Sequence, residues 1–171
     1  MSMKKIKLHK INTGIITSCV VGFALSYYAY MVETAKEQDH TYEAMCDISE
    51  HVSCTKAFMS EYGKGFGIIE KNSIFYQPNS VYGIGYYGIV IITSIFNDYG
   101  HAVALMTLAI VSNISSIYLA WILYLLNDIC VICVSTYVVN GIILIFSYQK
   151  LRLVTQTRNV TSQPITKKKL H

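Results

Sequence analysis

Cys130 and Cys133 stand three residues apart at the mouth of a long apolar segment, in the stretch Asn127-Asp128-Ile129-Cys130-Val131-Ile132-Cys133. A dithiol at this spacing can close a disulfide and pass two electrons to an acceptor, or it can pack as two small apolar side chains. If residues 129–148 form one helix, the thiols share a face with Tyr137, four residues beyond Cys133, and with Asn140, seven beyond it. An otherwise apolar helix then carries one polar stripe of two thiols, a phenol and an amide. Capping by Asn127 or Asp128 would put Cys130 in the first turn, where unpaired N–H groups and the positive helix end favour a thiolate. The negative charge of Asp128 opposes that effect.

The elements that must position these groups belong to a membrane. Of the 171 residues, 53% are hydrophobic and 14% charged, against about a quarter charged in an ordinary soluble domain. Four lysines and no acids precede Ile11, and six Lys or Arg and no acids lie from Lys150 onward. Eight acids, from Glu33 to Glu70, fall between residues 33 and 71 beside four lysines, and the other two, Asp98 and Asp128, sit at breaks between apolar runs. Basic tails without a folded basic face do not make a nucleic-acid-binding surface.

Four apolar runs, at about residues 11–32, 81–97, 101–126 and 129–148, predict an all-α integral membrane protein. The expected architecture is a bundle of four transmembrane helices with one soluble loop, 33–80, between spans 1 and 2, and residues 1–171 read as a single domain. The first run is longer than a secretory h-region and no small-residue cleavage site follows it, so it reads as a retained helix. The second run lies near the lower length limit, and the third is long enough to tilt. Ser112, Asn113, Ser115 and Ser116 in the third read as helix-packing contacts, and Cys19 in the first reads as packing. Within the loop, Tyr42 to Cys46 suggests a short amphipathic helix, and Gly63-Lys64-Gly65-Phe66-Gly67 a mobile turn.

With four spans, both basic ends share the cytosolic side and the acidic loop shares the opposite side with residues 127–128. Cys46, Cys54, Cys130 and Cys133 then collect at one membrane face, which permits disulfides if it is the endoplasmic reticulum lumen. The sequons at Asn113 and Asn159 fall inside a span and in the cytosol, where neither accepts glycan. The tail from Lys150 to His171 reads as disordered, and its Lys168-Lys169-Leu170-His171 end matches a dilysine retrieval signal for the endoplasmic reticulum.

The chain resembles the vitamin K epoxide reductases from roughly Ile11 to Tyr148. The carrying stretches are Met45-Cys46-Asp47, Ser53-Cys54, Gly63-Lys64-Gly65-Phe66-Gly67, Pro78-Asn79-Ser80, Tyr118-Leu119-Ala120-Trp121-Ile122-Leu123, and Cys130-Val131-Ile132-Cys133 with Thr136-Tyr137. The resemblance implies that Cys130 and Cys133 are the catalytic pair, with Cys133 facing the quinone, and that Cys46 and Cys54 relay electrons to it. It implies that Asn79 and Tyr137 hydrogen-bond the two substrate oxygens, with Phe58 and Ser60 beside the pocket. It implies vitamin K quinone or epoxide as substrate, no tightly bound cofactor, a separate thioredoxin-like luminal protein as electron donor, and coumarin-type anticoagulants as inhibitors. Tyr62, where the family often has Trp, and Tyr82, where Phe is usual, depart from the vertebrate pattern but remain aromatic.

Two other functions fit the same residues less well. A disulfide-forming oxidoreductase for secretory proteins would use the same electron path with quinone as oxidant. A non-enzymatic four-span scaffold would keep a permanent loop disulfide and give the pair at the span end no task. No metal site is expected, since neither a histidine nor a second Cys-x-x-Cys supports zinc.

Overall fold

The computed structural model describes residues 3–49 and 51–161. It is helical, with no strand among the described residues. The long helices are α1 (Met3–Gln38), α3 (Asn79–Ile95), α4 (Tyr99–Leu125) and α5 (Val131–Thr161); α2 (Cys54–Met59) is a short helix within the loop. α1 packs on α3 and α5, and α4 packs on α3 and α5, so the four close into a ring. Three of them, α1, α4 and α5, are long and apolar enough to cross a membrane. α3 has 17 residues, about 25 Å of helix against about 30 Å of hydrocarbon.

The bundle is apolar on both its inside and its outside, as lipid requires. Ile11, Ile15, Cys19, Tyr87, Val90, Leu105, Ala109, Val139 and Ile143 form the core of one half. Outward-facing Ile92, Ile114, Ile117 and Trp121 are each at least 60% exposed, a surface that water would not tolerate over so many residues. Small residues let α1 and α3 approach closely. A Cβ on Gly22 would lie 2.3 Å from the Tyr87 ring, and one on Gly83 would lie 2.5 Å from the Ser26 hydroxyl.

Several local expectations need correction. Residues 42–46 form no helix, 42–44 being irregular and 45–46 a turn, because the Asp47 carboxylate accepts from the Ala44 N–H at 2.9 Å and holds the chain away from a helix. The helix of the third apolar run begins at Tyr99, ahead of residue 101, because Asp98 caps α4 by accepting from the His101 N–H at 3.1 Å. The Gly63–Gly67 segment is pinned, with the Gly65 N–H donating to the Gln77 carbonyl and the Asn79 N–H to the Gly63 carbonyl, both at 2.9 Å. α5 runs past residue 148 to Thr161, and Lys150 is buried in it, donating to the Ser94 carbonyl near the end of α3 at 2.6 Å. The dilysine motif lies outside the described residues.

Candidate active site

Asn127 closes α4 and does not open α5. It takes a left-handed conformation (φ 50°), its N–H donates to the Tyr124 carbonyl and that of Asp128 to the Leu123 carbonyl, a Schellman ending with Asn in the usual glycine place. The capping of α5 falls to Cys130 itself. Its carbonyl accepts from the Val134 N–H at 3.0 Å and its sulfur from the Cys133 N–H at 3.2 Å. Cys130 thus precedes the first turn and its sulfur takes up one of the unpaired donors there. Cys130 and Cys133 are joined as a disulfide with Cα atoms 5.2 Å apart.

Cys46 and Cys54 form a second disulfide, with Cα atoms 5.7 Å apart. Asp47 organises the chain between them. It accepts from the Ser53 hydroxyl at 2.7 Å, from the Thr55 N–H at 3.0 Å, and from the Thr55 hydroxyl. Burial pushes this carboxyl up, but the bonds from Ser53, Thr55 and Ala44 outweigh it and hold the group down at about 2. The loop is tied to the start of α5 by the Ile129 N–H donating to the His51 carbonyl at 2.9 Å. Cys46, Cys54 and Cys130 consequently share one buried cluster with Val32, Ala44 and Ala57, and Cys133 packs against it. The two disulfides are neighbours.

Above the core, the helices enclose a cavity of about 290 Å³. Cys133 lines it, as do Phe58, Ser60, Asn79 and Tyr137, so loop and helix residues 79 positions apart in sequence converge on one space. Cys130 does not reach the wall; its relation to the cavity runs through its disulfide partner. A mostly apolar chamber with one sulfur and a few hydroxyl and amide groups suits a flat apolar ligand with polar oxygens.

A model of the vitamin K epoxide reductase family matches residues 14–148. The chain belongs to the vitamin K epoxide reductase family. Among relatives, vitamin K epoxide reductase complex subunit 1 of Rattus norvegicus and that of Mus musculus are each 36% identical over 138 residues, covering 78% of this chain and 86% of the relative. The family and the apolar helices fit a multi-pass membrane protein.

Tyr137 and Asn79, both on the wall, are held differently. The Tyr137 hydroxyl has no hydrogen-bond partner among the described residues and is free to donate into the cavity. Asn79 is partly committed. Its amide N–H₂ donates to the Tyr62 carbonyl at 2.7 Å and its carbonyl accepts from the Phe66 N–H at 2.9 Å, leaving one N–H to spare. It is the first residue of α3 and caps nothing, since Pro78 holds the cap position. Its brace keeps Phe66 at φ 57°, a conformation rare for an aromatic residue, and the Tyr118 hydroxyl donates to the Phe66 carbonyl at 3.1 Å. The Lys64–Glu37 ion pair ties the same segment to α1, and the hydrogen bond that Lys64 donates to Glu37 pushes the pKa of its ammonium up.

Tyr137→Phe removes a hydroxyl that no protein group depends on, so folding stability should hold while binding suffers. Loss of one buried hydrogen bond to a ligand oxygen predicts about 1–3 kcal/mol, roughly five- to 150-fold in affinity. Substrate titration against the purified variant checks this, and binding equal to wild type would remove Tyr137 from the site.

Sequence reasoning missed much of the cavity floor and rim. Asn140 joins a buried network, accepting from the Tyr87 hydroxyl at 3.0 Å and donating to the Ser116 hydroxyl at 2.9 Å, while Asn113 donates to the Asn140 carbonyl at 3.0 Å. Ser112 bonds the Tyr86 hydroxyl at 2.8 Å. These serines and asparagines do tie helices together as expected, except Ser115, which lines the cavity. Glu33 also lines it, although its position just after an apolar run reads as a span boundary.

Proposed function

We propose that this chain is a membrane thiol oxidoreductase that reduces vitamin K 2,3-epoxide and vitamin K quinone at the Cys130–Cys133 pair. The observation that carries the reading is that Cys133, half of a disulfide-forming pair, is part of the wall of an apolar cavity into which the unpaired Tyr137 hydroxyl can donate. In the reduced protein, Cys133 attacks as thiolate and forms a covalent adduct with the substrate. Cys130 then attacks Cys133, breaks the adduct bond and closes the disulfide. The dithiol gives up two electrons and two protons; the epoxide yields quinone and water, and the quinone yields hydroquinone. Charge develops on the substrate oxygens, and neutral donors such as Tyr137 and the spare Asn79 N–H stabilise it in a dry site.

Regeneration runs through the loop pair. Cys46 is 9% exposed and adjoins Met45, which is 91% exposed, whereas Cys54 is fully buried in the cluster that holds both Cys46 and Cys130. Electrons from a soluble thioredoxin-like protein therefore enter at Cys46 and leave through Cys54, whose thiolate attacks the Cys130–Cys133 disulfide. Assaying epoxide and quinone as separate substrates with a small dithiol tests the reading. Reduction of quinone alone would favour the disulfide-forming alternative.

The chain sits in the endoplasmic reticulum membrane with four spans, α3 being the shortest, and with both termini in the cytosol. The segregation of basic ends from an acidic loop supports this arrangement. Tags at both termini are expected to be protease-accessible in intact microsomes and a tag beside Lys64 protected. A protected C-terminus would contradict the four-span count.

A further inference from the structure

Glu33 is buried at 2% exposure, seven residues beyond Ser26 and four beyond Ala29 on the same face of α1, and all three line the cavity. It is the only side chain of acid or base type among the lining residues described. Its Oε2 accepts from the Ser80 hydroxyl at 3.1 Å, while Oε1 is buried with no hydrogen-bond partner. As a carboxylate, Glu33 would be a buried charge whose nearest cation, Lys64, is already paired with Glu37. As a neutral acid it carries a proton and needs no counter-ion.

We infer that Glu33 is the acid that delivers a proton to a substrate oxygen in the cavity. The inference rests on the reductase reading above. A quinone or epoxide oxygen that receives electrons must also receive protons. A phenol such as Tyr137 is by nature a far weaker acid than a carboxyl group and releases its proton less readily. In the step proposed, the two thiol sulfurs lose two electrons in closing their disulfide and release their protons to solvent. The substrate gains the electrons; Glu33 gives one of the two protons it needs, solvent gives the other, and Glu33 recovers its own from solvent between turnovers. The net reaction remains dithiol plus quinone to disulfide plus hydroquinone.

Glu33→Gln keeps the size of the side chain and an acceptor for Ser80 but has no acidic proton. Pre-reduced protein mixed with quinone should form hydroquinone about 10²-fold more slowly in this variant, with KM and thermal midpoint close to wild type. Glu33→Asp, which retains an acid, should recover part of the rate. A wild-type rate in Glu33→Gln overturns the inference alone, whereas a wild-type protein that reduces neither substrate overturns the reductase reading and the inference with it. Should the glutamine variant fail to fold, infrared spectra of the glutamate-labelled wild type decide the matter: a protonated buried carboxyl before turnover supports the role, and its absence overturns it.

Discussion

Turnover driven by a protein reductant is expected to fall to background in Cys46→Ala and in Cys54→Ala, while a small dithiol still drives both variants. The reason is access. Cys130 is fully buried and Cys133 is half-buried on the wall of a cavity between the helices, too narrow to admit a folded reductant. A small dithiol can enter the space that admits substrate. The loop pair bridges the gap, because the Ile129–His51 hydrogen bond and the shared cluster hold it against Cys130. Each variant also loses the bridge between residues 46 and 54, worth about 2–4 kcal/mol in typical cases, so rates belong at a temperature where all variants are folded. Parallel loss with both reductants would mean that the loop cysteines are catalytic or structural and carry no relay.

The Cys130–Cys133 pair was legible in the sequence because cysteine spacing and helical periodicity are local properties, whereas the loop pair was read from the family resemblance. Cys133, Tyr137 and Asn140 do share a face of α5, and the charge segregation separates the loop from the tails. What escaped depended on which hydrogen-bond partners the fold supplies, some a few residues away and others far along the chain. Asn127 suits either end of a helix, and only the carbonyls of Leu123 and Tyr124 decide that it ends α4. Asp47 breaks the helix expected at 42–46 by gathering donors from residues on both sides of it. Asn79 is read from the resemblance as a substrate contact, yet most of its hydrogen-bonding capacity braces Tyr62 and Phe66. Glu33 follows an apolar run and so looks like a solvated boundary; its burial follows from α1 packing against Ser80 of α3. Lys150 illustrates the same point at the other end, since a basic residue that opens a basic tail is here a buried donor to the end of α3.

Cys133→Ala carries the largest expected effect of any substitution. It removes the one sulfur on the cavity wall and leaves Cys130 buried outside that wall, without a partner and without access to substrate. No other free cysteine among those described lies near, since Cys19 is buried in the opposite half of the bundle. Removing the nucleophile of a covalent mechanism costs on the order of 10⁴-fold or more, which in practice is background. Packing should change little, because a half-buried thiol gives way to a methyl group. The decisive measurement is the conversion of vitamin K epoxide to quinone by purified protein with a small dithiol, wild type against Cys133→Ala at matched thermal stability. Product from the wild type and none above background from the variant is the predicted result; conversion by Cys133→Ala at the wild-type rate would contradict the assignment of catalysis to this pair.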